Sequence, residues 1–124
     1  MSRRRIAFRR ALERLREVLD EHETAITRDA AIQRFEFSFE LCWKTIQEAA
    51  RGEGIDCASP KGCGRTAWRL GWIDSETGWL AMLEDRNLTV HTYDEKLADD
   101  VYSRLPAHLT LFEAIATALP AEDT

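Results

Sequence analysis

Apolar residues recur along this chain at the three- and four-residue spacing of amphipathic helices. In the first segment Phe8, Leu12, Leu15 and Leu19 follow one another by steps of 4, 3 and 4 residues, which places them on one helix face. A second helix is expected to be capped by Thr27 and to end near Arg51, before Gly52 and Gly54. Its apolar face is made by Ile32, Phe35, Phe39, Trp43 and Ile46.

A short third helix is predicted after Ser59-Pro60, because serine caps a first turn and proline is tolerated there. It should end at Gly71. Gly62 and Gly64 lie inside it and cost about 1 kcal/mol each relative to alanine. The pattern therefore supports this helix least.

Two more helices complete the chain. One follows Ser75 and carries Trp79, Met82 and Leu83 on its apolar face. The last begins near Asp94, and we expect Pro106 to kink or break it. Since no segment shows the alternation of a strand, the predicted fold is all-α, a four-helix bundle with one short extra helix in a single domain, 1–124.

Charge is distributed unevenly along the 124 residues. The whole chain has 17 Lys+Arg against 22 Asp+Glu and a net charge of −5, which argues against a nucleic-acid binder that is basic over its whole surface. Residues 1–16 nevertheless hold seven arginines and one glutamate, a net of +6 that leaves −11 for the rest. These arginines could bind RNA phosphates or an acidic partner, although charge runs often only solvate a helix end.

The cysteines and the hydropathy pattern bear on compartment. Cys42, Cys57 and Cys63 are an odd number, which argues against a disulfide framework, and they lack the partners of a zinc site. We therefore expect structural or incidental thiols and no metal or cofactor. No apolar run approaches the roughly 20 residues that span a bilayer, and no signal peptide is visible. A cytoplasmic protein without a membrane segment is predicted.

The segment 86–93 holds the groups best suited to phosphate chemistry. Arg86 offers a planar, permanently charged fork for phosphate oxygens. His91 can transfer a proton near neutral pH, and the Tyr93 hydroxyl can donate a hydrogen bond or accept a transferred group. On an unbroken helix Asn87 and His91 would lie about 40° apart, but the β-branched residues at 89, 90 and 92 indicate fraying. From residue types alone, a capping or surface role for the histidine is the plainer interpretation.

Other conspicuous side chains favour structural roles. Trp43, Trp68, Trp72 and Trp79 lie among apolar neighbours, so packing is expected, with Trp72 the best candidate for stacking on a base. Glu36 and Glu40 form no metal site with the distant His22, and Glu40 is predicted to pair with Lys44 one turn later. His108 is expected on the surface of the last helix.

A family resemblance strengthens the prediction that segment 86–93 is a functional site. Arg86, His91 and Tyr93 match the R-x4-H-x-Y signature of the HEPN superfamily of all-α proteins. The blocks QRFEFSFELCWKTIQ (33–47), SPKGCGRTAWRLGWI (59–73) and WLAMLEDRNLTVHTYDEKLA (79–98) resemble the nucleotidyltransferase substrate-binding protein family, related to HepT-type toxins. The resemblance covers roughly residues 5–118. Gly62 and Gly64 depart from it, because such proteins usually carry helix formers there.

The resemblance implies an antiparallel up-and-down bundle that forms a homodimer and binds a small, minimal nucleotidyltransferase. In the toxin branch, the arginine and histidine cleave RNA without metal, and the partner silences the toxin by adenylylating the tyrosine. Carried over, Arg86 and His91 become the catalytic candidates, Asn87 a supporting polar group and Tyr93 the candidate AMP acceptor. The alternative is a non-catalytic subunit that holds the substrate or nucleotide of its partner transferase. A third alternative is a structural adaptor.

Overall fold

The computed structural model describes residues 2–121. Within this range the chain is all-helical and contains no strand, which confirms the all-α prediction. Five helices and a short 3-10 turn follow one another: α1 (Arg3–Leu19), α2 (Ala25–Gly52), α3 (Pro60–Arg69), α4 (Glu76–Leu88), the 3-10 turn (Thr89–His91) and α5 (Glu95–Ala118).

Each helix begins at a residue whose side chain satisfies a free backbone N–H group. Ser59, Ser75 and Asp94 cap α3, α4 and α5 as their sequence positions predict. The cap of α2 is Thr24, not Thr27. Thr27 is the third helical residue, and its hydroxyl accepts from the Thr24 backbone N–H at 2.7 Å, while Thr24 Oγ1 accepts from the Thr27 N–H. The threonine that the sequence indicated as the cap therefore completes a capping box.

The core follows most of the predicted stripes, although Trp43 on α2 and Leu83 on α4 are only partly buried. Phe8, Leu12 and Leu15 are buried on α1, but Val18 takes the fourth core position and Leu19 is only partly buried. Helix α2 is central, since it packs against each of the other four helices. Phe35 on α2 and Phe112 on α5 have ring centroids 6.0 Å apart, which joins the two longest helices through the middle of the molecule.

Helix α3 forms although it contains two glycines, and Gly64 has a packing reason. Gly64 is buried against the indole of Trp79, and the indole N–H donates to the Pro60 carbonyl at 3.1 Å. A side chain at position 64 would occupy the space of the ring. Gly64 thus lowers the intrinsic helix propensity of α3, but it allows α3 to pack closely against α4.

Of the two outcomes predicted at Pro106, a kink or a break, the break is wrong. Helix α5 continues from Glu95 to Ala118 with Pro106 inside it. Pro106 faces solvent, whereas Leu105 and Leu109 beside it are buried. Burial of the apolar face on both sides of the proline stabilises the helix enough to outweigh one missing hydrogen bond.

The expectation of structural or incidental thiols is also wrong for two of the three cysteines. Cys57 and Cys63 form a disulfide, with Cα atoms 5.1 Å apart. The turn at Ser59-Pro60 brings the first turn of α3 back to the preceding loop, so one short-range pair forms despite the odd count. Gln47 Nε2 donates to the Cys57 carbonyl at 2.7 Å and ties this loop to α2. Cys42 remains a free thiol, and burial raises its pKa well above the usual value.

Two expectations about exposure are corrected. His108 is 6% exposed and stacks on Phe35, with centroids 5.3 Å apart, so it is a core residue. Trp72 is buried, and its ring is not available to stack on a base; Trp68 is the tryptophan with the most exposed ring. Among the described residues, no helix combines the length and the apolar character needed to cross a membrane.

Candidate functional site

Arg86 lies in the last turn of α4 and is held from three sides. Its Nη2 donates to a Glu40 carboxylate oxygen on α2, and its Nη1 donates to Asn87 Oδ1 at 3.3 Å. Its guanidinium carbon also lies 5.5 Å from the centroid of the Phe39 ring. The side chain keeps 32% of its surface exposed. The fork is therefore oriented by the protein and still accessible to an anion.

Helix α2 supplies the acidic side of the site. Glu40 bonds Arg86 through Oε1 and accepts from the Trp43 indole N–H through Oε2 at 3.1 Å. The predicted pairing of Glu40 with Lys44 is wrong, because Arg86 reaches this carboxylate from the neighbouring helix and Lys44 lies over the Trp43 ring. Sequence spacing shows only partners within one helix, so this contact was not visible from it.

Glu36 lies one turn before Glu40 and is partly buried. Burial raises its pKa, and the nearby Thr89 hydroxyl together with the positive charge of Arg86 offsets part of that effect. The site therefore holds two carboxylates beside one arginine, in environments of different polarity.

The backbone leaves the α-helix after Leu88, as the β-branched residues predicted. Thr89 Oγ1 donates to the Arg86 carbonyl at 2.7 Å, and Thr92 Oγ1 donates to the Thr89 carbonyl at 2.9 Å. These bonds reinforce a 3-10 turn that follows the end of α4 at Leu88, in which the Thr89 and Thr92 backbone N–H groups donate to the same two carbonyls. The helical-wheel angles expected for residues 86–93 therefore do not apply beyond Leu88.

His91 and Tyr93 stand next to each other at the surface. Their ring centroids are 6.0 Å apart in an edge-to-face arrangement, and Tyr93 is 83% exposed. Arg86 and Asn87 form the other contact pair of the segment. Across residues 2–121, Arg86 and His91 make no direct hydrogen bond with each other. The structure thus brings the four candidates onto one segment as two adjacent pairs.

A buried ion cluster precedes the segment. Asp85, 3% exposed, accepts from Arg104 Nε and Nη2, each at 2.8 Å, and its Oδ2 lies 2.7 Å from His108 Nε2. Burial alone would raise the pKa of Asp85, but the hydrogen bonds and charges of its two partners lower it below the ordinary value. Asp85 therefore fixes the end of α4 to α5 directly beside Arg86.

The spacing of the charged residues in the sequence could have predicted this cluster. Asp85 follows Trp79 and Met82 at intervals of three, which places a carboxylate on the buried face of α4. Arg104 and His108 are spaced by four on α5 and so share one face. A buried carboxylate such as Asp85 needs a cationic partner, and the face shared by Arg104 and His108 offers one.

A second ion cluster follows the segment. Arg28 on α2 is 5% exposed and donates to Glu95 at 2.7 Å and to Asp99 at 3.0 Å, both in the first turns of α5, and also to Asp29. These three carboxylates raise the pKa of Arg28, the largest contribution being the Glu95 hydrogen bond. Within residues 2–121, no three His, Cys, Asp or Glu side chains are placed to hold a metal ion.

These features define an all-helical protein with an oriented arginine and an exposed histidine–tyrosine pair at the end of its fourth helix. The chain belongs to the family described as nucleotidyltransferase substrate binding protein like, whose model matches residues 3–121. The resemblance drawn from the sequence is thereby confirmed.

Known proteins agree with this assignment. The chain is 38% identical over 80 residues to the probable ribonuclease HepT of Haemophilus influenzae, and the match covers 60% of this chain and 55% of that protein. The chain thus spans little more than half the length of this relative.

Two solved structures share the fold. A Thermus thermophilus protein superposes with a TM-score of 0.86 at 41% identity, covering 92% of this chain and 99% of that one. A Haemophilus influenzae protein, described as revealing the fold of a substrate binding domain of a nucleotidyltransferase, gives 0.82 at 25% identity, covering 93% and 98%.

Proposed function

We propose that this chain is the partner subunit of a minimal nucleotidyltransferase and acts as a metal-independent endoribonuclease, with Arg86 and His91 as its catalytic residues. The observation that carries the proposal is the placement of an oriented, accessible guanidinium and an exposed imidazole on one short segment. The similarity to a probable ribonuclease supports it.

The chemistry follows from these side chains. His91 takes the proton of an RNA 2′-hydroxyl, and the 2′-oxygen attacks the adjacent phosphorus. Arg86 stabilises the added negative charge of the phosphorane. The bond from phosphorus to the 5′-oxygen then breaks, and the leaving oxygen takes a proton. The products are a 2′,3′-cyclic phosphate and a 5′-hydroxyl.

The motif holds one histidine in each chain, which leaves the acid that protonates the leaving group unassigned. In our proposal helices α1, α2, α4 and α5 form an antiparallel up-and-down bundle with α3 as the short extra helix, and two copies form a symmetric homodimer. A two-fold axis near residues 86–93 would place a second His91 in the same cleft. Dimerisation then has a catalytic reason.

Tyr93 is the proposed site of control. Its hydroxyl would attack the α-phosphorus of ATP bound to the nucleotidyltransferase and release pyrophosphate, which leaves AMP on the tyrosine oxygen. Because Tyr93 is 83% exposed and adjoins His91, the added nucleotide would block the imidazole by bulk and charge. The two proteins would then act as a toxin and its antitoxin.

The second candidate function is a non-catalytic subunit that binds the substrate or nucleotide of its partner transferase. It is favoured by the ion pair between Arg86 and Glu40, which occupies part of the arginine fork, and by the description of the Haemophilus relative as a substrate binding domain. In this function Arg86 would bind a phosphate without cleaving the RNA.

The test of cleavage uses the purified chain and a labelled RNA in excess EDTA. Wild type should yield cyclic-phosphate ends by mass spectrometry, and His91→Ala and Arg86→Ala should not. His22→Ala is the matched control, since His22 is exposed in the turn before α2. Equal cleavage by His91→Ala and wild type would disprove the nuclease. Arg86-dependent RNA binding without cleavage would favour the second candidate.

The test of modification mixes the chain with its nucleotidyltransferase, ATP and Mg²⁺. An added mass of AMP should appear on wild type and on Tyr102→Phe, but not on Tyr93→Phe. Tyr102, which is partly buried on α5, serves as the control. Modification of Tyr93→Phe at the wild-type level would remove Tyr93 as the acceptor.

A further inference from the structure

An open groove of about 1260 Å³ runs between α1 and α2. Arginines dominate its polar lining: Arg3, Arg10 and Arg14 from α1 and Arg34 from α2. Glu13 and Glu40 are the acidic residues that line it.

Within the part of the chain that the structure describes, the Arg10 and Arg14 side chains form no ion pair, and both are exposed. Arg34 is fixed, because its Nη1 donates to the Arg14 carbonyl at 2.8 Å. The groove thus contains cations that the fold itself does not neutralise.

Apolar side chains alternate with these charges. Phe37 from α2 is 55% exposed and Ile6 from α1 is 38% exposed, and both line the groove. An exposed aromatic ring between arginines offers a base a stacking surface while the cations bind the flanking phosphates. The exposed ring favours RNA over an acidic protein as the ligand of the groove, because acidic side chains would require only the arginines.

The groove leads to the catalytic candidates. Glu40 lines it and pairs with Arg86, so its end adjoins the guanidinium proposed to act on phosphate. Its α1 wall extends from Arg3 to Arg14, about 16 Å at 1.5 Å per residue, which matches several stacked nucleotides at about 3.4 Å each. Since the chain beyond residue 16 sums to −11, a polyanion is repelled elsewhere and is favoured here.

We infer that the α1–α2 groove binds single-stranded RNA, with Arg10 and Arg14 on phosphates and Phe37 stacked on a base, and delivers the strand to Arg86 and His91. This inference rests on the proposed function and adds to it the class of RNA and the surface that selects it.

The experiment measures binding of a fluorescein-labelled 12-nucleotide single-stranded RNA by anisotropy, in the full chain carrying His91→Ala so that the RNA stays intact. Adding Arg10→Ala and Arg14→Ala should weaken binding more than tenfold. It should also reduce the slope of log affinity against log salt by roughly 1.4, the contribution of two phosphates. A hairpin duplex of the same composition should bind more weakly than the single strand.

A matched double variant of the same helix controls for net charge. Arg9→Ala with Arg16→Ala removes the same two charges from the opposite side of α1, where Arg9 contacts the Ala116 carbonyl and Arg16 pairs with Glu113. It should change the affinity less than threefold. For the stacking ring, Phe37→Ala should weaken binding more than fivefold, and Trp68→Ala, an exposed ring on α3, should not.

Equal losses in the two arginine pairs, or unchanged binding by Arg10→Ala/Arg14→Ala, would overturn the inference. So would sedimentation showing that Phe37→Ala turns a dimer into a monomer, because the groove would then be an interface between copies. If wild type cleaves RNA but the groove variants bind normally, this inference fails and the proposed function stands. If the groove binds RNA that wild type never cleaves, the nuclease fails and the groove stands.

Discussion

Gly64 lies so close to Trp79 that a β carbon at position 64 would overlap the indole ring. The contact is the first of a series that ends at the candidate site. Trp79 packs on Phe39 with ring centroids 5.2 Å apart, and the Arg86 guanidinium carbon lies 5.5 Å from the centroid of the same Phe39 ring. Helix α3 therefore supports the ring against which Arg86 rests.

Replacing Gly64 by alanine should destabilise the protein by about 3 kcal/mol, because a buried ring must move to admit the methyl group. The free energy of unfolding from urea titration measures this. Gly52→Ala is the control, since open space surrounds Gly52 at the end of α2, and it should stabilise by about 0.5 kcal/mol. A Gly64→Ala protein as stable as wild type would show that the contact is loose.

The sequence predicted the helices better than it predicted their contacts. The period of apolar residues depends on neighbours within one helix, and so the five helices and their caps at Ser59, Ser75 and Asp94 were visible. The partners of Gly64 and Glu40 lie on other helices, and no local pattern encodes them. Motif spacing identified the segment 86–93, but the 3-10 turn that sets its geometry depends on hydroxyl contacts made in the folded chain.

The two largest errors have the same origin. His108 was expected on the surface because histidine is polar, yet Asp85 on α4 supplies the partner that permits its burial. The Cys57–Cys63 bond was missed because an odd cysteine count was weighed above the turn between the two residues. In both cases a contact between two side chains, one across helices and one across a turn, decides the outcome.

Asp85→Asn should destabilise the protein by about 2 kcal/mol at neutral pH, because it removes charge-assisted hydrogen bonds from a buried carboxylate. The pKa of Asp85 is lower in the folded chain than the roughly 3.9 of an unfolded aspartate, so its contribution is present above about pH 4 and is lost as pH falls through the folded value. Urea unfolding at pH 7, 5 and 3 should show a difference from wild type that is equal at the first two and smaller at the third.

The exposed Asp74 provides the comparison for this experiment. Asp74→Asn should match wild type within about 0.5 kcal/mol at each pH, as surface substitutions do. A difference between wild type and Asp85→Asn that grows towards pH 3 would contradict the assignment of Asp85 as the stabilising carboxylate.

Glu40→Gln should bind the labelled single-stranded RNA roughly fivefold more tightly in the His91→Ala background, which corresponds to about 1 kcal/mol for a partly exposed ion pair. The carboxylate competes with phosphate for the Arg86 fork, and the amide removes that charge while its oxygen still accepts from Trp43. Anisotropy titration gives the ratio. Glu48 lies on the same helix as Glu40 and forms an exposed ion pair with Arg4 of α1. The control variant Glu48→Gln should therefore bind RNA like its parent.

Weaker binding by Glu40→Gln than by the parent would contradict competition. It would mean that Glu40 chiefly orients the Arg86 guanidinium. In that case Glu40→Asp should restore RNA affinity if its shorter carboxylate still reaches Arg86.

Reduction of the Cys57–Cys63 bond should lower the free energy of unfolding by about 2 kcal/mol, the chain-entropy value for so short a loop. Unfolding with and without a phosphine reductant measures the change. The double variant Cys57→Ser/Cys63→Ser should be insensitive to reductant. A reductant effect of the same size in this variant would assign the loss to another cause.

The segment 86–93 is anchored at both ends by ion pairs. Before it, Asp85 binds Arg104 and His108. After it, Glu95 and Asp99 bind Arg28. A loop whose ends are fixed has little conformational freedom left to lose when a ligand orders it. Under the proposed function, affinity for RNA at this segment would therefore depend on two ion clusters that do not include Arg86 or His91. Sequence changes at Arg28 or Arg104 would act as affinity modulators, weakening binding through the entropy of the segment rather than through its contacts.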